Sequence, residues 1–294
     1  MTTLLPVLAL GFNALVWGLS WWPLKTLESQ GLHPLWATAI IFAVSLACVL
    51  LWRPQAWRGL LKHPALWFLL LASGLTNVCF NWAVTVGDVV RVVLLFYLMP
   101  TWSLLLAWWL LRERPTGHAL LRLLLALAGV ALVLKTPETD WPLPQSLADF
   151  LALLGGFCFA LTNVLLRRLH DTPEAARMLA MFGGGTFTAL VFALVGTAAG
   201  FVSPPTMARE WGWLAILGLT AAFLLGNLAL QYGAARLSAH TTAMVMLSEV
   251  VFASVSSISL GASGWTARIA LGGSLIVLTA LLASRPSNAS LESP

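Results

Sequence analysis

The sequence feature that most constrains the fold is a run from Leu94 to Arg114 that is apolar apart from three polar residues and a closing charged cluster. About twenty apolar residues ending in basic ones are typical of a transmembrane helix whose basic end faces the cytoplasm. Pro100, near its middle, frees a backbone carbonyl, which lipid tolerates only where other helices or a wet cavity satisfy it. The proline therefore favours a helix facing something other than lipid, and a kink that serves packing alone is the alternative.

The composition assigns the whole chain to the membrane. Hydrophobic residues make up 59% of the 294 residues and charged residues 9%, and the mean hydropathy is +0.88. These values are typical of a polytopic α-helical membrane protein. The net charge of +5 comes from Lys and Arg spread thinly over short loops, so it does not indicate nucleic-acid binding.

Ten membrane spans can be drawn, over residues 4–24, 34–52, 65–86, 89–111, 118–136, 147–167, 175–200, 210–235, 240–262 and 266–284. With a cytoplasmic N-terminus, eleven of the sixteen Lys and Arg residues fall inside and five outside. The positive-inside rule therefore predicts that both termini are cytoplasmic.

The polar, proline-rich segment 137–146 divides the spans into two sets of five, at 1–136 and 147–284, followed by a polar tail at 285–294 that we expect to be disordered. An odd number of spans per set means that the two sets enter the membrane from opposite sides. An offset of 150 positions aligns Asn77 with Asn227 and Asn81 with Gln231. The pattern predicts two inverted five-helix repeats around a central cavity, the arrangement of secondary transporters, and chance similarity between apolar helices is the alternative.

Ten short spans, the five-plus-five repeat and the stretches FYLMPTWSLLLAWWLLRERPTG and SEVVFASVSSISLGASGWT carry a family resemblance. The chain resembles the EamA-type drug/metabolite transporter superfamily, and within it the YddG-type aromatic amino acid exporters of bacterial inner membranes. The resemblance implies a central cavity and places Tyr97-Leu98-Met99-Pro100 where those exporters carry Tyr-Leu-Trp-Pro. Met99 departs from that pattern, as does Val250, which follows Glu249 where the superfamily carries a proline.

Two pairs of amides lie inside predicted spans. Asn77 and Asn81 are spaced i, i+4 on the third span, and Asn227 and Gln231 repeat that spacing on the eighth. Each pair falls on one helix face, and buried polar residues in membrane helices are functional candidates. The pairs could supply donors and acceptors for the ammonium and carboxylate of an amino acid, whereas helix-to-helix hydrogen bonding is the alternative.

An aromatic face is predicted on the first span, where Trp17 and Trp21 follow Asn13 at helical spacing; an offset of 142 aligns Trp21 with Asn163. Such a face could stack on an aromatic ligand, although tryptophans near span ends also serve as interfacial belts. Glu249 is the one acid placed well inside a predicted span. It is interpreted as a proton-coupling or ammonium-binding site, with a hydrogen-bonded packing carboxyl as the alternative.

These observations favour an alternating-access exporter of small amphipathic metabolites, most simply aromatic and other amino acids. A carrier of nucleosides, drug cations or lipid intermediates is the alternative within transport, and a membrane scaffold or an intramembrane enzyme is the alternative outside it. No nucleotide-binding loop, zinc cluster or nucleophile elbow is visible, so we expect no enzyme activity and no cofactor, and a monomer in the lipid bilayer. The predicted substrate-binding residues are Trp17, Trp21, Asn77, Asn81, Tyr97, Met99, Pro100, Asn163, Asn227, Gln231, Tyr232 and Glu249.

Overall fold

The computed structural model describes residues 4–111, 117–134, 143–169, 171–206, 210–234, 236, 245–246 and 248–283, and the regular structure within these ranges is helical. Its helices are α1 (Leu4–Leu19), α2 (Trp21–Ser29), α3 (Pro34–Trp52), α4 (Ala56–Lys62), α5 (Ala65–Val86), α6 (Val89–Phe96), α7 (Met99–Leu111), α8 (Gly117–Leu134), α9 (Leu147–Arg168), α10 (Glu174–Ala198), α11 (Glu210–Ala234), α12 (Ser248–Ser259) and α13 (Ala267–Ala283). Most of the 137–146 linker and the whole 285–294 tail lie outside the described residues.

Six segments of the described chain are long and apolar enough to cross a membrane, which indicates a multi-pass membrane protein. They are Leu4–Ser29, Pro34–Trp52, Ala65–Val86, Leu147–Leu166, Glu174–Ala198 and Gly212–Gly233. Shorter apolar helices cover Leu120–Val133 and Ala267–Thr279. The arrangement of ten spans in two inverted repeats therefore stays a prediction.

Local sequence signals explain where several helices begin. His33 precedes Pro34, and its Nδ1 accepts a hydrogen bond from the Leu35 N–H at 3.2 Å, so the side chain caps the start of α3. Asp88 caps α6 by accepting from the Arg91 N–H at 2.9 Å. Ser146 and Asp149 form a reciprocal capping box at the start of α9. The bounds of α3 and α5 coincide with the predicted spans 34–52 and 65–86.

The predicted span 89–111 is divided into α6 and α7, and the break lies before Pro100 rather than at it. A proline ring clashes with the carbonyl four residues earlier, which here belongs to Phe96, the last residue of α6. Tyr97 and Leu98 form the turn, and Pro100 falls in the first turn of α7, where a missing N–H costs no helical bond. The kink predicted at Pro100 is therefore a complete break three residues upstream.

Helix α5 lies at the centre of the described bundle, against α9 and α10, and α10 also packs on α3. Helix α1 packs on α11 and α12, α6 packs on α9 and α12, and α8 packs on α13. Helix α11 contacts α1, α2 and α3. These contacts bring elements from before and after the 137–146 segment together throughout the bundle.

Glycines allow α5 and α10 to touch through their backbones. A Cβ added at Gly184 would overlap the carbonyl oxygen of Leu70, and one at Gly74 would overlap Thr188 and the Gly184 carbonyl. The neighbouring Gly183 is different, because a Cβ there would lie 3.9 Å from Leu46 Cδ1, an ordinary contact. Small residues at a crossing permit this close approach between membrane helices.

Candidate functional site

An aromatic cluster joins seven elements in the middle of the described bundle. The Trp17 ring stacks on Phe223 at 4.6 Å between centroids and meets Phe80 edge-on at 5.9 Å. Phe80 lies 4.8 Å from Phe96, which in turn lies 5.4 Å from Phe159. Phe42 completes the cluster at 5.8 Å from Phe223 and 5.9 Å from Phe182. Trp17 thus belongs to a set of rings contributed by both predicted repeats.

Trp21 lies on α2, beyond the turn at Ser20, and is 3% exposed. Its Nε1 donates to Ser256 Oγ on α12 at 3.0 Å, so the indole is held inside the described bundle. Asn13, one turn before Trp17, donates through Nδ2 to Met246 Sδ at 3.4 Å. These contacts connect the start of the chain to α12 and the residues before it.

Tyr97 and Glu249 meet at the break between α6 and α7. The Tyr97 hydroxyl oxygen lies 2.8 Å from Glu249 Oε2 and 2.9 Å from the carbonyl oxygen of Met246. Tyr97 is 2% exposed and Glu249 is 6% exposed. The structure therefore pairs two of the predicted site residues, one from each predicted repeat, in a buried polar contact.

The two amides of α5 make different hydrogen bonds. Asn77 donates to the Ser73 carbonyl of its own helix at 2.7 Å, and Asn81 donates to Thr38 Oγ1 of α3 at 3.2 Å. Within the described residues the buried Oδ1 of Asn81 has no hydrogen-bond donor. Asn81 makes the helix-to-helix bond that was the alternative interpretation, and its carbonyl oxygen retains accepting capacity.

The two amides of α11 lie in a cleft. Gln231 Nε2 donates to Asn227 Oδ1 at 2.7 Å, one turn apart on the same face. Both side chains line a cavity of about 210 Å³, and Gln231 also lines an adjoining cavity of about 570 Å³ together with Tyr232. The other lining residues are Leu166, Glu174, Arg177, Met181, Leu228, Leu230 and Arg236.

This cleft, formed by those lining residues, separates the end of α11 from the end of α9 and the start of α10. Arg177 donates to the carbonyls of Leu169 at 3.0 Å and Thr172 at 2.7 Å, so it holds the loop between α9 and α10. The Arg236 guanidinium lies 3.9 Å above the Tyr232 ring, a cation–π contact. We call this side of the bundle the cleft end.

Three predicted site residues remain to be located. Met99 begins α7 and packs, half-buried, against the core next to Tyr97. Pro100 lies in the first turn of α7. Asn163 is half-buried on α9, one turn beyond Phe159 of the aromatic cluster. The break, the aromatic cluster and the cleft thus each contain members of the predicted set.

The opposite side of the bundle, which we call the Arg91 end, is closed by ionic and polar contacts. Arg91 binds Asp149 in a bidentate pair, Nε to Oδ1 at 2.7 Å and Nη2 to Oδ2 at 2.9 Å, and also donates to the Val133 carbonyl at 2.7 Å. Lys25 donates to the Gly87 carbonyl at 3.0 Å. The Asp88 carboxylate accepts from the Gly264 N–H at 3.2 Å.

Sequence reasoning missed the residues that close this end and the charges of the cleft. Arg91 and Asp149 counted only as loop charges that help to orient the chain, as did Arg177 and Arg236. A signal was present in the capping positions, because Asp88 and Asp149 each precede or open an apolar helix. The pairing of Arg91 with Asp149, 58 residues apart, has no such local signal.

Histidine 33 adds a titratable group to the Arg91 end, outside the candidate spans. Burial lowers the pKa of its imidazole below the ordinary value of about 6.5. The ring meets the edge of Trp82 at 5.5 Å between centroids, and its Nδ1 caps α3. Nδ1 can accept the capping hydrogen bond only when it carries no proton, so the cap at the start of α3 stabilises the neutral form of the imidazole.

Taken together, the apolar helices and the cleft define a multi-pass membrane protein with a polar recess open at one end of its bundle. Residues 4–135, a little under half of the chain, match the family described as "EamA-like transporter family". Members of that family are transporters and not enzymes, which agrees at family level with the expectation of a non-enzyme.

Comparison with solved structures extends the likeness to the whole fold. Fifteen solved chains match, and one of them, a crystal structure, has a TM-score of 0.60 at 20% identity, covering 93% of this chain and 95% of that chain. At that identity the similarity concerns the fold alone. No curated protein sequence matches the chain.

Proposed function

We propose that this protein is a monomeric secondary carrier of the YddG type that exports small amphipathic metabolites, first of all aromatic and other amino acids, by alternating access. The observation that carries the proposal is the contrast between a cleft lined by amides and charges at one end and an end closed by the Arg91–Asp149 pair at the other. A carrier caught open to one side requires both features at once.

The packing of the helices supports two inverted repeats. If α1 corresponds to α9, α5 to α11 and the α6–α7 pair to α12, then the contacts of α1 with α11 and α12 correspond to those of α9 with α5 and α6. If α3 also corresponds to α10 and α8 to α13, the pairs α3 with α10 and α8 with α13 would each be related to themselves, and the contact of α5 with α10 would correspond to that of α11 with α3. An approximate two-fold relation in the contacts is what inverted repeats produce.

The chemistry of the cleft supports a zwitterionic substrate. Asn227 and Gln231 offer both donors and acceptors, Arg177 and Arg236 offer positive charge, and Glu174 offers negative charge. An amino acid presents the complementary carboxylate and ammonium on adjacent atoms. The aromatic cluster, with Trp17 stacked on Phe223, supplies rings deeper in the bundle on which an aromatic side chain could stack.

Charge distribution supports a cytoplasmic cleft end in a bacterial inner membrane. Among the described side chains, the cleft end carries Arg53, Arg58, Lys62, Arg122, Arg168, Arg177 and Arg236, whereas the Arg91 end carries Lys25, Arg91 and Arg268. The excess of basic residues marks the cytoplasmic side in bacterial membrane proteins. Substrate would then enter the cleft from the cytoplasm.

Counterflow in proteoliposomes tests the proposal. Vesicles preloaded with unlabelled phenylalanine should accumulate labelled phenylalanine and tryptophan, and Gln231→Ala should weaken this exchange. Gln145→Ala is the matched control, because it removes an exposed amide at the opposite end. Exchange of nucleosides or organic cations, without any amino acid, would assign the fold to the alternative cargo. Absence of exchange for every class would contradict a carrier.

A further inference from the structure

The Tyr97 hydroxyl makes two short polar contacts, one of them with Glu249. If the Glu249 carboxyl is ionised, there is one proton too few for both contacts to be hydrogen bonds. The Tyr97 hydroxyl oxygen is within hydrogen-bond distance of two acceptors, Glu249 Oε2 at 2.8 Å and the Met246 carbonyl at 2.9 Å. A phenol carries a single proton and a carbonyl carries none. Both short contacts are hydrogen bonds only when Glu249 is itself protonated, donating to Tyr97 while Tyr97 donates to Met246.

The surroundings of Glu249 favour the same protonation state. Helices α1 and α6 pack against α12. The sequence of α1 has no ionisable side chain, and α6 carries only Arg91, which lies at the Arg91 end in its pair with Asp149. Tyr97 is the ionisable side chain in contact with Glu249 among the described residues. A buried carboxylate without a cation is costly in a membrane interior, so the neutral acid fits this site better.

The contact between Tyr97 and Glu249 joins the break between α6 and α7 to the start of α12. Tyr97 is the residue at which α6 ends before α7, and Glu249 stands in the first turn of α12. Helix α12 is held closely to α1, because a Cβ added at Gly18 would lie 2.8 Å from Phe252 Cβ and 2.9 Å from the Glu249 carbonyl oxygen. A change at the carboxyl therefore acts on both the α6–α7 break and the α1–α12 packing.

From this geometry we propose that Glu249 is a proton-binding site and that it is protonated in the cleft-open conformation. The bound proton completes two hydrogen bonds, from Glu249 to the Tyr97 hydroxyl and from that hydroxyl to the Met246 carbonyl, which we call the latch. When Glu249 releases the proton to water, its carboxylate takes the hydrogen bond of the Tyr97 hydroxyl and the Met246 carbonyl loses that donor. Rebinding of a proton reverses both changes. Resting on the proposed carrier function, the site would make export an exchange of substrate for a proton.

Infrared spectroscopy of the purified full chain tests the occupancy without any substrate. At neutral pH the wild-type protein should show a carbonyl-stretch band of a protonated carboxylic acid that is absent from Glu249→Gln. Glu28→Gln, which changes an exposed carboxyl on α2, is the matched control and should retain the band. Equal spectra for the wild type and Glu249→Gln in this region would overturn the proposal.

Cysteine accessibility tests the latch, also without substrate. Leu228, on the cleft wall, is replaced by Cys in a Cys48→Ser background, with the buried Cys79 and Cys158 retained. Gln can donate to Tyr97 as the protonated acid does, so Glu249→Gln should hold the cleft open. The labelling rate of wild type relative to that of Glu249→Gln should fall as the pH is raised, and Glu28→Gln should follow the wild type.

A ratio that stays constant with pH would overturn the latch even if the infrared band is present. Tyr97→Phe gives a second test, because it removes the hydroxyl and should abolish the pH dependence of the labelling ratio. These readouts do not depend on cargo, so a failure of amino acid counterflow would contradict the proposed substrate and leave the proton site standing.

Discussion

The Arg91 end and the cleft end use the same kinds of residue in opposite ways. At the Arg91 end, the ionic and polar contacts join residues 58, 62 and 176 positions apart, as in Arg91–Asp149, Lys25–Gly87 and Gly264–Asp88. At the cleft end, the hydrogen bonds described for Arg177, Gln231 and Arg236 reach residues four to eight positions away. Long-range partners tie separate helices together, whereas local partners satisfy a charge and leave the helices apart.

Chemical labelling from the two sides of the membrane tests most directly whether the cleft end and the Arg91 end face opposite sides. Cysteines replacing Lys62 at the cleft end and Gln145 at the Arg91 end should be modified by an impermeant reagent from opposite faces, because both positions are exposed at opposite ends of the bundle. The expected difference is all or none. Modification of both from the same face would refute the assignment of the two ends.

Removing the central ion pair should cost the Arg91 end much of its stability. Asp149→Ala leaves the Arg91 guanidinium without its carboxylate and removes the capping box of α9, so we expect a loss of about 3 kcal/mol in unfolding free energy. Thermal unfolding in detergent measures it. Glu174→Gln, at the exposed mouth of the cleft, is the control and should leave Tm nearly unchanged.

A double variant sharpens this test. Arg91→Met combined with Asp149→Leu removes both charges and should be more stable than either single charge deletion, because no buried charge is left unpaired. If the single and double variants unfold at the same temperature, the pair does not close this end.

The amides of the cleft end should affect transport with little effect on folding. Asn227→Ala removes a cleft-lining side chain whose bond is to Gln231 of the same helix, and we expect about a five-fold loss of substrate affinity, equal to one hydrogen bond of about 1 kcal/mol. Asn77→Ala removes a bond to its own helix and serves as the comparison. Unchanged affinity in Asn227→Ala would exclude this amide from the substrate site.

The smallest effect concerns pH and the Arg91 end. Because the pKa of His33 is lowered on folding, the unfolded chain takes up its proton first as the solution becomes acidic. The contribution of neutral His33 is therefore complete above about pH 6.5 and is lost as the pH falls through the lower folded pKa. We expect a slight fall in Tm over that range, which His33→Asn should remove since Asn also caps helices. An unaltered pH dependence in His33→Asn would assign it to another group.

Much of the helical framework could be predicted, because it depends on local composition. Apolar length sufficed for α3 and α5, whose bounds coincide with the predicted spans, and α3 also begins at a capping residue, His33. The division of 89–111 before Pro100 was accessible in principle, since the ring excludes the carbonyl of Phe96, but a mid-span proline suggests a kink first. The short helix α4, Ala56–Lys62, was missed because its seven residues resemble a loop.

The candidate site was predictable by residue type and not by partner. A buried acid or amide inside a span signals function wherever it occurs, and this brought Glu249, Asn227 and Gln231 into view. Which atoms they would meet depends on helix packing across the chain: Tyr97 reaches Glu249 over 152 positions, while Asn77 turns back to Ser73 of its own helix. Composition and periodicity contain no information on that choice.

The backbone contact between α5 and α10 has a mechanical consequence. Where Gly184 lies on the Leu70 carbonyl, even a methyl group has no room, so sliding one helix along the other would bring larger side chains against this backbone contact. Helix α11 packs instead on α1, α2 and α3, and the cleft leaves its last turns clear of α9 and α10. In the proposed carrier we therefore expect α5 and α10 to move together and α11 to move relative to them.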